Sequence, residues 1–395
     1  MVNDTQQIPA GYKQTDVGVI PNSWKALQIR DVAKYRRGSF PQPYGLPQWY
    51  DEIGGKPFIQ VVDVGENCRL KKTTKQKLSK KAEKYSVFVK KGSVIITIQG
   101  SIGRVAVTDY DAYMDRTLLL FESFNVPVDV HFLKYALQVL FEKEKQSAPG
   151  GIIKTITKEA LSSFVLQIPP IEEQSLISNS LSDIDSLISK LDQLIQKKKN
   201  IKQGAMQELL TGKRRLPGFS GEWEEIKLGD VSTIRTGKKD VNEGNPEGKY
   251  PFFTCSRTIS YSNSFSFDTE AILIAGNGEV GNLHLFKGKF EAYQRTYVLS
   301  DFEVNTSFLW HQMSFFFKKS LGIGTIGSSI PYIKKENIVD FIFLSPRSPD
   351  EQNAIANVIS DFDKEIMFLE QRRNKYQNLK QGMMQQLLTG KIRLI

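Results

Sequence analysis

The chain contains itself twice. The segment that starts at Glu173 and ends at Leu216 aligns without a gap on the segment from Glu351 to Leu394, at a constant offset of 178 residues. Roughly half of the aligned positions are identical, and the tails read KQGAMQELLTGKRRL and KQGMMQQLLTGKIRL. An internal repeat of this strength constrains the fold more than any local motif, because both copies must adopt one backbone.

A weaker repeat precedes each strong one. SWKALQIRDVAKYRRG, from Ser23, resembles EWEEIKLGDVSTIRTG, from Glu222. Trp24, Asp31 and Gly38 match Trp223, Asp230 and Gly237. GSIG at Gly100 matches GEVG at Gly278, Arg116 and Thr117 match Arg295 and Thr296, and ITKEAL at Ile156 matches IKKENI at Ile333. The order is variable domain, helix, variable domain, helix. The boundaries expected are 1–170, 171–216, 217–348 and 349–395. Strong divergence between shared anchors fits two domains that keep a scaffold while their loops differ.

The strong repeat has helical periodicity. Ile177, Leu181, Ile184, Ile188, Leu191 and Ile195 are spaced 4-3-4-3-4, a heptad seam that favours packing on another helix. Ile355, Ile359, Phe362, Ile366 and Leu369 repeat it, with Arg373 replacing the aliphatic that matches Ile195. Pro169, Pro170 and Pro349 mark the starts, and Gly212 and Gly390 the stops. About 40 residues at 1.5 Å each give rods of roughly 60 Å. Each apolar seam needs a partner, so an antiparallel pair is expected, with an approximate two-fold axis relating the two helices and the two domains. Gly204 and Gly382 sit inside the helices, where each costs about 1 kcal/mol relative to alanine. Close approach of another helix and a mere bend are equally good reasons for them.

Within the domains, short β-like runs dominate: 94–98, 104–108, 117–121, 271–275, 282–286, 296–300 and 341–344, with helices near 130–143 and 307–318. The spacing predicts α+β domains with antiparallel or mixed sheets.

Composition narrows the chemistry. Two cysteines, Cys68 and Cys255, and three histidines, His131, His284 and His311, supply neither a disulfide framework nor a metal motif. No metal site is expected. No Walker A, HExxH or GxSxG motif occurs, and no Asn/Asp-Pro-Pro-aromatic tetrad of the kind that methylates an extruded base. Gly276-x-Gly278-x-x-Gly281 has dinucleotide-binding spacing, but residues 282–286 read as a strand rather than a helix, so a sharp strand-to-strand loop is the better reading. No catalytic residue is assigned. No apolar stretch is long enough to span a bilayer, and the polar first residues lack the pattern of a signal peptide, so a cytoplasmic protein with no membrane partner is expected.

The formal net charge of +10 suits a polyanionic partner. The excess is uneven. Residues 1–170 carry 24 Lys/Arg against 16 Asp/Glu, whereas residues 217–348 carry 14 against 15. Residues 69–91 hold ten Lys/Arg and a single acid, Glu83, which favours phosphate contact. Lys71, Lys72, Lys75 and Lys77 belong to this run. Base edges are read by Arg, Asn, Gln, Ser, Thr or aromatic side chains on loops that approach a groove closely. The DNA-binding candidates on this ground are Gln99, Ser101 and Arg104 with their counterpart loop at Asn277. To these add Lys154 and Thr155 with Ser328 and Ser329, and also Arg36, Arg37, Tyr44, Trp49, Lys238, Lys239, Arg257 and Tyr261.

With this layout the chain resembles, over essentially its whole length, the specificity (S) subunits of type I restriction–modification enzymes. The marks are EQxxIxxxLxxxD at Glu173 and Glu351, with isoleucine at position 359, KQGxMQxLLTGK at Lys202 and Lys380, and the entrances at Trp24 and Trp223 that run on to Asp-Val. The resemblance implies two target recognition domains, pseudo-two-fold-related and separated by two long antiparallel coiled-coil helices. Each would read half of a split, asymmetric target in double-stranded DNA. It further implies that the helices dock two modification (methyltransferase) subunits, which carry S-adenosylmethionine. A restriction subunit would join them for ATP- and Mg²⁺-dependent translocation and cleavage. The chain itself would bind no cofactor and catalyse nothing. The alternative is a stand-alone nucleic-acid-binding adaptor without a methyltransferase partner.

Overall fold

The computed structural model describes residues 8–147, 156–321 and 332–394. The chain divides into two compact units, and neither is drawn from one repeat alone. The first joins Met1–Lys190 to Arg372–Ile395; the second is Leu191–Gln371. Two long helices, Ile171–Leu209 and Pro349–Leu387, each begin in one unit and end in the other.

The first unit holds two four-stranded sheets. One orders its strands Ala33–Arg37, Leu118–Phe124, Val94–Thr97, Val105–Val107; the other Gln76–Leu78, Lys56–Ile59, Ala112–Met114, Val87–Val89. Pairing is antiparallel except between Lys56–Ile59 and Ala112–Met114. The second unit has one six-stranded sheet in the order Thr233–Thr236, Thr296–Ser300, Phe267–Ala275, Leu283–Ala292, Tyr250–Phe253, Ser260–Ser262, again with one parallel pair. Both units are therefore α+β with mixed sheets. The helix expected over 307–318 is α-helical only over Thr306–Gln312 and widens to a π turn over Met313–Phe317. There Gln312 Nε2 donates to Leu210 O at 2.8 Å and Leu344 O at 2.7 Å, satisfying a carbonyl left open at a helix end.

Within each unit the start of one long helix lies antiparallel to the end of the other. In the first unit Glu173 pairs with Arg393 at 2.6 Å and Asp185 with Lys380 at 2.7 Å. In the second, Lys202 pairs with Asp363 at 2.5 Å, Lys199 with Glu370 at 2.7 Å and Arg215 with Glu351. As one partner's number rises the other's falls. Ile177 and Leu181 enter a core with Trp24, Phe132 and the tail residues Leu387 and Leu388. Ile355 and Ile359 do the same with Leu228, Phe308 and the tail residues Met206, Leu209 and Leu210. The first turns of the heptad pattern thus serve domain docking as much as helix pairing. Further along, Ile184, Leu191, Ile195, Ile366 and Leu369 are buried, and Ile188 and Phe362 half-buried.

The repeated motifs have specific roles here. Each tail ends in a glycine at positive φ, Gly212 at +67° and Gly390 at +69°, which lets the chain reverse. The N–H of Arg214 then reaches Glu208 O, and that of Ile392 reaches Gln386 O, both at 3.2 Å. The reversal aims Arg215 and Arg393 at Glu351 and Glu173, carboxylates only 1% and 3% exposed, and both arginines bind two-pronged. The neighbouring glutamines act on their own domains. Gln174 Oε1 accepts from Asp129 N–H while Nε2 donates to Pro127 O and Pro169 O. Gln352 accepts from Asn305 N–H and donates to Ser345 Oγ and Pro346 O. Asp129 and Asn305 in turn accept from Phe132 N–H and Phe308 N–H at the start of each domain's helix. Gly204 and Gly382, by contrast, have nothing within 4 Å of an added Cβ, so close helix packing does not account for them.

The asymmetry between units is informative. In the first, Trp24 Nε1 also donates to Glu173 at 2.9 Å, whereas the buried Trp223 Nε1 has no partner among the described residues. Asp185 accepts from Tyr135 Oη and Lys380. Burial would raise its pKa, but Lys380 and the tyrosine hydroxyl outweigh that and hold it below the usual carboxylate range. At the place of Tyr135 the second unit has His311, 3% exposed and 3.1 Å from Ser360 Oγ. Burial first, then the nearby Lys202 ammonium, lower its pKa to about 4.

Arg393→Met strands the Glu173 carboxylate in a buried site and should destabilise the first unit by about 3 kcal/mol, as breaking a buried pair does. Hydrogen exchange resolved by unit should show the loss in the first unit only, and Arg215→Met should show it in the second; a change below about 0.5 kcal/mol would contradict this. For His311, the unfolded chain binds the extra proton between about pH 6.5 and pH 4 while the folded chain does not. The stability supplied by the neutral ring is complete above pH 6.5 and is lost as pH falls toward 4, by about 3 kcal/mol in all. Denaturation of His311→Gln at several pH values should lack this component; an equally steep acid decline in the variant would contradict it.

Candidate nucleic-acid interface

One end of the sheet is built alike in the two units. A glycine loop connects antiparallel strands: 98–104 joins Val94–Thr97 to Val105–Val107, and 276–282 joins Phe267–Ala275 to Leu283–Ala292. Gly103 N–H returns to Thr97 O at 2.9 Å, and Gly281 N–H to Ala275 O at 3.0 Å. Gly100, Gly103, Gly278 and Gly281 all have positive φ, which a side chain would resist. The glycine triplet of 276–281 therefore makes a strand-to-strand loop, and no helix opens after it. Beside each loop lies the turn that leads into the central strand. Ile98 N–H donates to Thr117 O, and Gly276 N–H to Arg295 O, both at 2.9 Å. Ile156 N–H then reaches Ile98 O, and Ile333 N–H reaches Gly276 O.

These bonds correct one alignment. Leu118 pairs with Thr97 as Thr296 pairs with Ala275, so the structural equivalents of Arg116 and Thr117 are Gln294 and Arg295. The sequence match of Arg116 with Arg295 slips by one residue, because the eye aligns identical letters whereas the sheet aligns hydrogen bonds.

The basic run of the first unit is organised by a buried acid. Asp63, 0% exposed, accepts from Gln60 N–H at 2.9 Å and Lys75 N–H at 2.8 Å, while its own carbonyl accepts from Lys71 N–H. Residues 71–75 are pinned from within while Lys71, Lys72 and Lys75 face solvent. Lys80, Lys81, Lys84, Lys90 and Lys91 are exposed as well. Arg69 turns inward and donates to Asp185 O at 3.0 Å. Lys77 is half-buried and donates to Glu52 O. Lys81 lies 5.4 Å from the Trp49 ring centre and Lys84 4.9 Å from that of Tyr85. The surface thus interleaves cations with aromatic rings.

The remaining candidates separate into open and engaged groups. Arg37, Tyr44, Lys238 and Tyr261 are exposed; Gln99, Ser101 and Asn277 are half-buried on the glycine loops. Gln60 Nε2 donates to Tyr44 Oη at 2.8 Å. Arg36 pairs with Glu122 at 3.7 Å, Arg104 with Glu66 at 3.1 Å and Arg257 with Glu279 at 2.7 Å, so their charges are partly answered. Lys239 is held by Ser262 and Ser264. Lys154, Thr155, Ser328 and Ser329 lie outside the described residues. Among the described residues no group of His, Cys, Asp and Glu could hold a metal ion, and no helix is long and apolar enough to cross a membrane. Sequence reasoning missed Asp63: an isolated acid before a basic run gives no sign of which backbone it will bind.

A chain with two copies of one α+β scaffold, each carrying divergent loops beside glycine turns, defines a class of paired recognition modules. The chain belongs to the family described as type I restriction modification DNA specificity domain, whose model matches residues 21–203 and 220–378. It is 44% identical over 135 residues to the specificity subunit of the type I restriction enzyme EcoDI of Escherichia coli. That stretch covers 34% of this chain and 30% of that relative. It is 24% identical over 417 residues to the MjaVIII specificity subunit of Methanocaldococcus jannaschii, covering 95% and 94% of the two chains. Its fold is similar to the crystal structure of a type I restriction–modification S subunit from M. genitalium, with a TM-score of 0.62 at 16% identity over 92% of this chain and 96% of that one. A chain solved in work on complex assembly and conformational transition of the type I restriction–modification system matches with a TM-score of 0.58 at 14% identity, covering 94% and 99%.

Proposed function

We propose that this chain is the DNA-reading subunit of a type I restriction–modification complex, and that its two domains read the two dissimilar halves of one split target. The observation that carries the reading is the pairing of sameness and difference. The glycine loop and the adjoining turn keep the same backbone bonds in both units, whereas the side chains they carry differ. Natural readers of two different half-sites would keep the frame and change the contacts. Exposed lysines over residues 71–91 supply phosphate attraction in the first domain. The second domain, near neutral in sequence, relies more on shape and on individual contacts.

On this reading the chain is not itself catalytic. Two methyltransferase subunits and a restriction subunit are its protein partners, and the long helices are their docking surface. S-adenosylmethionine, ATP and Mg²⁺ belong to those subunits, and the complex works on double-stranded DNA in the cytoplasm. Family membership supports this assignment.

Replacing residues 22–170 with the corresponding domain of another family member should change one half of the methylated sequence and leave the other half intact. Methylome sequencing of cells that express the exchanged chain with its methyltransferase reads this directly. Change in both halves would contradict the reading, as would methylation without sequence preference.

A further inference from the structure

The turn that enters the central strand is framed identically in both units. Leu118 N–H donates to Asp115 O at 3.1 Å, and Thr296 N–H to Tyr293 O at 2.7 Å. Its residues are Asp115-Arg116-Thr117-Leu118 in one unit and Tyr293-Gln294-Arg295-Thr296 in the other. At equivalent positions nothing is identical. What both turns retain is one exposed arginine, displaced by a single position.

Several arginines on or beside these sheets are answered by acids, Arg36 by Glu122, Arg104 by Glu66, Arg235 by Asp301 and Arg257 by Glu279, whereas the exposed Arg37 at a strand end pairs with no acid among the described residues. Among the described residues no acid pairs with Arg116 or Arg295. Arg116 rests 5.9 Å from the centre of the Tyr44 ring, which orients the guanidinium without neutralising it. The segments 148–155 and 322–331 contain no Asp or Glu either. An unanswered cation kept in both readers, beside the glycine loop of each, calls for an anion that both readers meet.

We propose that Arg116 and Arg295 are phosphate anchors that seat each domain on the DNA backbone, a role that rests on the DNA-reading function proposed for the chain. A side chain that read a base would have to change when the half-site changes. What two dissimilar half-sites are bound to share is the sugar–phosphate backbone, and its negative charge lies on the phosphates. The one-position displacement points the same way. It moves the attachment point by about 3.8 Å, which would ruin a two-pronged contact to a base edge. A phosphate contact tolerates it, because the negative charge recurs along the backbone and carries no sequence.

The test uses the full chain assembled with its methyltransferase. Binding is measured over a series of KCl concentrations, to the duplex that carries the methylated sequence and to a duplex of unrelated sequence. Arg116→Gln and Arg295→Gln should each flatten the plot of log affinity against log salt by about 0.9, and the double variant by about 1.8. Each should weaken both duplexes by the same factor and leave the methylated sequence unchanged. Arg116→Lys and Arg295→Lys should keep the wild-type slope, which separates lost charge from lost folding. An unchanged slope in the glutamine variants, with sequence preference intact, overturns the anchor role alone. So does selective loss of the target duplex, or relaxed methylation in one half, since those mark a base reader. A wild-type complex with no preferred sequence overturns both the anchor role and the DNA-reading function beneath it.

Discussion

The arginine–glutamate pair that each repeat makes with the other is the contact on which the rest of this fold depends. Glu173 of the first repeat is met by Arg393 of the second, and Glu351 of the second by Arg215 of the first. Both carboxylates are almost wholly buried, so removing either arginine leaves an acid in the interior without its ion-pair partner. Neither unit is therefore complete with residues of one repeat alone. The crossing explains why EQ and LLTGKxR appear twice in the sequence: each is half of a joint whose other half lies in the other copy.

Around that joint the repeated residues divide the labour. Tail leucines and a methionine close the apolar core of a domain they do not belong to in sequence. Glycine at the helix end turns the chain so that the arginine arrives at its acid. Glutamine, next to the glutamate, fixes the residue that caps the domain's own helix. Domain, helix start and foreign tail become one packed body. The loops at the sheet end anchor in these same cores through Ile98, Ile102 and Val280, while Gln99, Ser101 and Asn277 lie outside those cores and can vary without disturbing them. That separation suits a protein whose scaffold must persist while its reading surface changes.

Much of the architecture was legible because its causes are periodic. The 4-3 spacing of Ile177, Leu181 and Ile184 announces a helix, and a repeat at constant offset requires both copies to be built alike. Alternating apolar runs gave most strands, and Gly276–Gly281 was recognisable as a loop because Leu283 and its neighbours continue as a strand. Other features were hidden. Lys202 and Asp363 are 161 positions apart, and no spacing rule ties them. The π turn at Met313–Phe317 follows directly on Gln312, whose tertiary bonds to Leu210 and Leu344 no local pattern announces. Arg116 and Arg295 looked aligned because letters were compared, whereas strand pairing shifts one by a residue. Gly204 and Gly382, repeated yet with nothing near the position of an added Cβ, have no structural explanation in the chain itself. Among the DNA-binding candidates, exposure was easy to anticipate for lysines, but the acids that engage Arg36, Arg104 and Arg257 come from distant segments.

Closure of each unit by the other repeat's tail is tested most directly by cross-linking in a chain whose Cys68 and Cys255 are replaced by serine. Cysteines are placed as the pair Asp185→Cys with Lys380→Cys, or the pair Lys202→Cys with Asp363→Cys, and treated with a short bifunctional maleimide. An efficient bridge within a single chain is expected for each pair, and none for Asp185→Cys with Lys202→Cys, which lie 17 residues apart on one helix. Bridges that form only between two chains, or that favour the same-helix pair, would contradict the closure.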